Sequence, residues 1–293
     1  MHTKEDKLKA FSRLLDIQER LRKECPWDSK QTNESLRPNT IEETFELADA
    51  LLKNDSKNIC KELGDVMEHV IFYSMLGEEK GDFDVADVCN AQSDKLMLRH
   101  DFIDWTGWSV TRSDMVVNAA GQVVYKDEEE QAAKNAQSTT PNTASQVEST
   151  WEQRKQRERD GNTSVLSGVP NSLPSLIKAY RIQDKARNVG FDWEEKEQVW
   201  DKVYEELEEL KNELMKEDKQ RSTEELGDFL FSLINAARLY HLNPDNALEH
   251  TNQKFIKRFN YIEEAAKAKG VTIKDLTLTE MDELWNQAKA ANN

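Results

Sequence analysis

The chain has 293 residues, room for two domains of ordinary size, with 37% hydrophobic and 33% charged residues, so modest cores carry a heavily charged surface. A formal net charge of −16 excludes a general binder of nucleic-acid polymers or of anionic membranes, both of which need a basic face. No apolar run approaches the ~20 residues of a membrane span. The opening Met1-His2-Thr3-Lys4-Glu5-Asp6 has no apolar region, and Cys25, Cys60 and Cys89 are odd in number without CxxC spacing; the expectation is a cytoplasmic protein with reduced thiols and no secretory signal.

Only 10 Gly and 6 Pro favour long helices, and helical periodicity dominates. From Leu8 the apolar residues Phe11, Leu14, Leu15, Ile17 and Leu21 mark one face of a first helix, closed by Cys25-Pro26-Trp27-Asp28. Thr40-x-x-Glu43 reads as a capping box that opens a second helix, and Ser56 as the cap of a third running through Val66, Val70 and Tyr73. A fourth runs from near Asp84 to about Arg99. Met115-Val116-Val117 and Val123-Val124-Tyr125, around Asn118-Ala119-Ala120-Gly121, predict a small β-hairpin. An acidic patch from Asp127 to Glu130, a linker at Ser138–Thr143 and a short charged helix at Trp151–Arg159 follow. Then the helical pattern restarts: Ile182-Gln183 echoes Ile17-Gln18, Tyr204–Leu214 parallels the second helix and Glu225–Leu239 the third. Asn243-Pro244 caps a counterpart of the fourth, and a last helix after Leu278-Thr279 holds Trp285. The fold class is therefore all-α: two tandem helical-bundle modules, residues 1–103 and 166–293, with an insertion and linker at 104–165.

The duplication carries chemistry. Glu206, Glu209, Glu225 and Asp228 form ExxE…ExxD, and each lies 163 positions after its counterpart in Glu43, Glu46, Glu62 and Asp65. Residues three apart share a helix face, so two neighbouring helices can bring two pairs of carboxylates together across their seam. Hard oxygen ligands of this kind suit Mg²⁺, with Mn²⁺ as a substitute, and hence phosphate chemistry. A solvated acidic face is the bland alternative for any one ExxE, and Thr40–Glu43 and Ser222–Glu225 could be capping boxes; neither explains Glu46, Asp65, Glu209 or Asp228. Gly64 and Gly227, each just before the Asp, suggest that a partner helix or ligand approaches closely there. A di-iron bundle would need two Glu-x-x-His motifs, and no His has a Glu three positions before it. There is no Gly-rich phosphate loop and no arrangement for a covalent nucleophile.

The ordered series resembles the MazG family of nucleoside triphosphate pyrophosphohydrolases over nearly the whole chain. Cys25-Pro26-Trp27-Asp28-x-x-Gln31-Thr32, Thr40-Ile41-Glu42-Glu43-Thr44-Phe45-Glu46 and Glu62-Leu63-Gly64-Asp65 are similar to its N-terminal module. Asn188-Val189-Gly190-Phe191-Asp192-Trp193, Lys202-Val203-Tyr204-Glu205-Glu206, Glu225-Leu226-Gly227-Asp228, Lys254-Phe255-x-x-Arg258-Phe259 and the Trp285 region are similar to its C-terminal one. The resemblance implies an all-α, Mg²⁺-dependent enzyme that converts NTPs, ATP among them, and dNTPs to the monophosphate and pyrophosphate, acts as a homodimer and works through its C-terminal module. The longer 104–145 segment and Asn39, where an aromatic residue is common, depart from the pattern.

The residues themselves also favour the C-terminal module, because a triphosphate needs cations as well as metal. Lys202 and Arg221 correspond to Asn39 and Asn58, whereas Lys254 and Arg258 have counterparts in Lys95 and Arg99. The expected site has Glu206, Glu209, Glu225 and Asp228 as metal ligands. Glu205 or Glu206 handles the proton of the attacking water. Lys202, Arg221, Glu224, Lys254 and Arg258 stand at the substrate, with Trp285 stacking on the base by resemblance. Glu43, Glu46, Glu62 and Asp65 are a second, inactive metal site. The alternatives are a non-catalytic helical regulator that senses a nucleotide and a narrow-specificity dUTP or dCTP diphosphatase.

Overall fold

The computed structural model describes residues 1–128, 143, 147, 158 and 164–291. The chain divides into two compact units, Met1–Arg154 and Lys155–Asn293. The expected linker at 138–143 and helix at Trp151–Arg159 lie almost wholly outside the described residues.

In the first unit, α1 (Lys4–Glu24) starts at a Thr3–Asp6 capping box. Helix α2 spans Asn33–Leu52 and α3 spans Ser56–Lys80. These two form the main helix pair, with Leu36, Phe72 and Leu76 buried between them. The expected start of α2 at Thr40 is corrected. The box that opens the helix is Thr32 with Ser35, whose side chains each accept the other's backbone N–H, and Pro38 lies exposed inside the helix. Pro38 loses one backbone bond, but on a solvent-facing turn water can take the freed carbonyl. Thr40 is mid-helix instead, its hydroxyl bonded to Leu36 O, His69 Nδ1 and Tyr73 Oη at 3.1, 3.0 and 2.7 Å. The cap of α3 is Asp55, not Ser56: its carboxylate accepts from Lys57 N and Asn58 N.

Helix α4 (Val85–Arg99), capped by Asp84, carries the hairpin of β1 (Met115–Val117) and β2 (Val123–Tyr125), which pair antiparallel with Met115 opposite Tyr125. Met97 and Leu98 pack on Met115, Val123 and Tyr125. The buried Asp94 ties the insertion down, accepting from Thr111 Oγ1 at 2.6 Å and Arg112 N at 2.9 Å. Gly121 takes φ +75° in the turn, where a side chain would also strike Asp104.

The second unit comprises α5 (Ser175–Arg187), α6 (Val199–Met215), α7 (Lys219–Leu239), α8 (Pro244–Ala268) and α9 (Leu278–Ala291). Asp218 caps α7, and Asn243 caps α8 with Pro244 at the first position. Val199, Val203 and Ala236 bind α6 to α7, with Phe229 and Leu239 against them. Ile262, Ala266, Leu276 and Leu284 join α8 to α9 in a separate core. The described residues are thus all-α apart from one hairpin, in tandem modules. No helix among them is long and apolar enough to cross a membrane.

Candidate functional site

The C-terminal cluster sits on the seam between α6 and α7. Glu206 of α6 is only 7% exposed, and Glu225 and Asp228 follow on one face of α7. One carboxylate oxygen from each of the three lies within 4.8 Å of the others. Glu225 is free for this role because Asp218, not Ser222, caps its helix. Burial pushes the Glu225 carboxyl above the usual range, and the negative charges of Glu209, Glu206, Asp228 and Glu213 push it further. Glu209 is exposed and outside the trio, near enough to act on it. Among the described residues, one cation answers this charge: Lys202 Nζ lies 2.8 Å from Glu206 Oε1 and 3.0 Å from Glu205 Oε1, and these hydrogen bonds hold its ammonium well above the usual lysine range. A compact set of carboxylate oxygens, desolvated on one side and already drawing an ammonium, fits a hard divalent cation.

The N-terminal unit builds a related trio from α2 and α3, one that takes Glu46 and leaves out Asp65 where the C-terminal trio leaves out Glu209 and takes Asp228. Glu43, Glu46 and the buried Glu62 each bring an oxygen within 4.8 Å of the others. Glu43 is raised by burial first and then by Asp65, Glu46 and Glu62, against His69. Asp65 stays outside the trio, 3.4 Å from Lys61 Nζ, which also bonds Glu62 at 3.0 and 3.2 Å. The internal counter-charge is therefore supplied from different helices: Lys61 aligns with Glu224, and Lys202 with Asn39. The sequence reading missed Lys61, which the 163-residue offset could have flagged as a charge reversal.

The remaining expected substrate residues take separate places. Arg221 is exposed in the first turn of α7, and Glu224 accepts from Gln220 Nε2 at 3.3 Å. Lys254 is exposed on α8. The Arg258 guanidinium lies 5.3 Å from the centre of the half-buried Trp285 ring, which Phe255 meets at 5.1 Å. Among the described residues, Lys202 alone of these six is ion-paired to the trio. Among the described residues of the chain, a Cβ on Gly64 or Gly227 would meet nothing within 4 Å, which leaves the close approach expected there to a ligand or a second copy. Both face open space.

The cavities differ between the units. A cavity of about 560 Å³ in the C-terminal unit lies between α5, the 190–193 loop and α7. In the N-terminal unit, Trp27, Leu36, Asn39, Phe72 and the acids Glu43 and Asp65 line about 190 Å³. A shallower hollow of about 380 Å³ borders Glu46 and Glu62, where the one ammonium, Lys53, is tied to Asp49 at 2.6 Å.

Comparison with known proteins identifies a family. The model of the MazG nucleotide pyrophosphohydrolase domain matches residues 31–103 and 194–262, one segment in each unit. The nucleoside triphosphate pyrophosphohydrolase of Escherichia coli K12 is 36% identical over 289 residues, 96% of this chain and 98% of that protein. The nucleoside triphosphate pyrophosphohydrolase/pyrophosphatase MazG of Thermotoga maritima is 34% identical over 287 residues, 96% of each chain.

Proposed function

The chain belongs to the MazG family of nucleotide pyrophosphohydrolases, and from that membership we propose how its residues carry out the reaction. It is a nucleoside triphosphate diphosphatase, a hydrolase acting on phosphoric anhydrides. The working site, in our reading, is the α6–α7 seam, with Glu206, Glu209, Glu225 and Asp228 as the ligands of Mg²⁺ or Mn²⁺. The convergence of Glu206, Glu225 and Asp228 within 4.8 Å beside a lysine is the observation that carries it. Divalent metal bound there would neutralise phosphate charge and make nearby water more acidic.

The chain's own groups do the rest. Lys202 is held by Glu205 and Glu206 until a triphosphate offers its Nζ stronger acceptors. Its transfer to a phosphate oxygen would leave the Glu205 carboxylate free to orient the attacking water and take its proton. The water oxygen bonds to phosphorus, the α–β anhydride breaks, and the monophosphate and pyrophosphate depart. Arg221, at the start of α7, and Lys254 and Arg258, on α8, offset the charge that develops on pyrophosphate. Trp285 supports the Arg258 guanidinium through its ring face. Glu224 orders the first turn of α7 with Gln220.

The N-terminal cluster is assigned a structural role. It lacks counterparts of Lys202 and Arg221, and its small cavity leaves little room beside Glu43 and Asp65. A homodimer is also part of the reading. Leu226, Leu230 and Leu233 make an exposed apolar stripe on α7, and Leu63, Met67 and Val70 repeat it at the same offset on α3. Seven-residue stripes of this sort match helix–helix seams. A second copy covering them would also pass the open side of Gly227.

The test is release of pyrophosphate from a panel of NTPs and dNTPs with Mg²⁺. Release requiring Mg²⁺ supports the reading. Nucleotide binding without release indicates the sensing regulator, and release from dUTP or dCTP alone indicates the narrow-specificity enzyme.

A further inference from the structure

We propose that Glu213 is a fifth acid of the α6–α7 site, one that strengthens its hold on a divalent cation, and that Lys216 sets how much of that charge reaches the metal. The inference rests on the metal reading of that site and adds to it a positioning residue that the ExxE…ExxD series does not contain.

Glu213 lies on α6, seven residues after Glu206 and four after Glu209, so the three follow one stripe of the helix. It is 9% exposed, a costly place for a carboxylate that is not fully paired. Its pairing is one-sided. Oε1 accepts from Lys216 Nζ at 2.7 Å, and among the described residues Oε2 has no hydrogen-bond partner. The Lys216 side chain is 63% exposed, so solvent screens this pair and leaves part of the Glu213 charge unanswered. The trio feels the remainder: after burial, Glu209, Glu206 and Asp228, Glu213 is the further charge that pushes the Glu225 carboxyl up.

The N-terminal unit shows what this position faces. Glu213 aligns with Ala50, which lines the hollow beside Glu46 and Glu62, the counterparts of Glu209 and Glu225. Ala50 is buried too, so the same place takes a methyl group in one unit and a carboxylate in the other. Lys53 aligns with Lys216 but is tied at 2.6 Å to Asp49, an exposed residue one position earlier. Both units therefore keep the lysine, and the buried acid belongs to the unit that also has Lys202 and Arg221.

An acid at this point attracts a doubly charged cation without having to touch it, because the attraction between charges falls off only with the first power of distance. Lys216 opposes it. Removing Glu213 and removing Lys216 should thus change metal affinity in opposite directions. An ion pair with only a structural role would be broken by either change, with the same consequence.

The test is isothermal titration of MnCl₂ into the nucleotide-free, full-length chain carrying Glu43→Gln/Glu46→Gln, which leaves the α6–α7 site to titrate. Adding Glu213→Gln should weaken binding roughly three- to tenfold, the scale of one unit charge acting on a divalent cation in a water-like medium. Adding Lys216→Met should tighten it by about twofold, a smaller effect because the ammonium is screened. Glu213→Asp, which keeps the charge, should stay within about twofold of the parent. The Mg²⁺ concentration for half-maximal pyrophosphate release should shift in the same directions. If Glu213→Gln fails to fold, the exposed Lys216→Met carries the test. Unchanged binding in either folded variant, or a shift the same way in both, overturns the proposal. No Mn²⁺ binding by the parent chain overturns the metal reading on which it rests.

Discussion

Each carboxylate trio should make the protein's stability depend on divalent metal. Two unit charges 4.8 Å apart, the outer limit for Glu206 and Asp228 oxygens, repel by about 1 kcal/mol in a water-like medium and about 3.5 kcal/mol at a surface-like dielectric. Lys202 cancels part of this, but it is half-exposed, so its pairing with Glu206 is screened and worth about 1 kcal/mol or less. Net repulsion therefore remains in the metal-free fold, and Mg²⁺ should bind the folded state in preference to the unfolded one. At a hundredfold excess over its dissociation constant it adds about 2.7 kcal/mol. For a unit of this size that is a rise of roughly 8 °C in midpoint, at about 3 °C per kcal/mol. The assay is differential scanning calorimetry at fixed ionic strength, with MgCl₂ against NaCl, because Na⁺ also screens the net charge of −16. A non-hydrolysable NTP should add a further increment by completing the phosphate contacts. Glu206→Gln/Glu209→Gln should lose the nucleotide increment and keep only the Mg²⁺ effect owed to the N-terminal trio. An unchanged nucleotide increment in that variant would refute the reasoning.

Removing the N-terminal ligands in Glu46→Gln/Asp65→Asn should leave most of the activity, since that site lacks the partners of Lys202 and Arg221; a correctly assembled but inactive variant would show the wrong unit has been assigned. Arg22, bonded to Glu79 at 2.7 and 2.8 Å, holds that carboxyl below its ordinary 4.5. A lowered carboxyl stabilises the fold above its unfolded value and loses that contribution as pH falls through the folded one. Glu79→Gln should therefore cost about 1 kcal/mol or less at pH 7, since Glu79 is half-exposed, and nothing at pH 2. Urea denaturation at the two pH values checks this, and an equal loss at both would contradict it. Leu230→Asp on the exposed α7 stripe should shift sedimentation toward the monomer, and an unchanged profile would remove the stripe from the dimer seam.

The acids were legible because their spacing is local. Residues three apart on a helix must share a face, and the repeated offset marked both clusters before any geometry was known. The hairpin was legible for a similar reason, as two β-branched runs around Asn118–Gly121. The start of α2 was not: Thr40-x-x-Glu43 fits a capping box as well as Thr32-x-x-Ser35 does, and the structure starts the helix at the earlier box, with Pro38 inside it. Spacing alone does not say what approaches Gly64 and Gly227, because that depends on what lies opposite, and among the described residues nothing stands within 4 Å of a Cβ there. The cavity was hidden for a related reason. Gln183, Asp192 and Asn235 are far apart in sequence, and only the packing of α5 on α7 brings them to the wall of one cavity.

The central claim is that the α6–α7 acids carry the chemistry and the α2–α3 acids do not. The most direct measurement is pyrophosphate release in saturating Mg²⁺ by two matched variants, Asp228→Asn and Asp65→Asn, each shown to be folded. The account predicts that Asp228→Asn abolishes turnover and Asp65→Asn keeps most of it. Near-wild-type release by Asp228→Asn would contradict it.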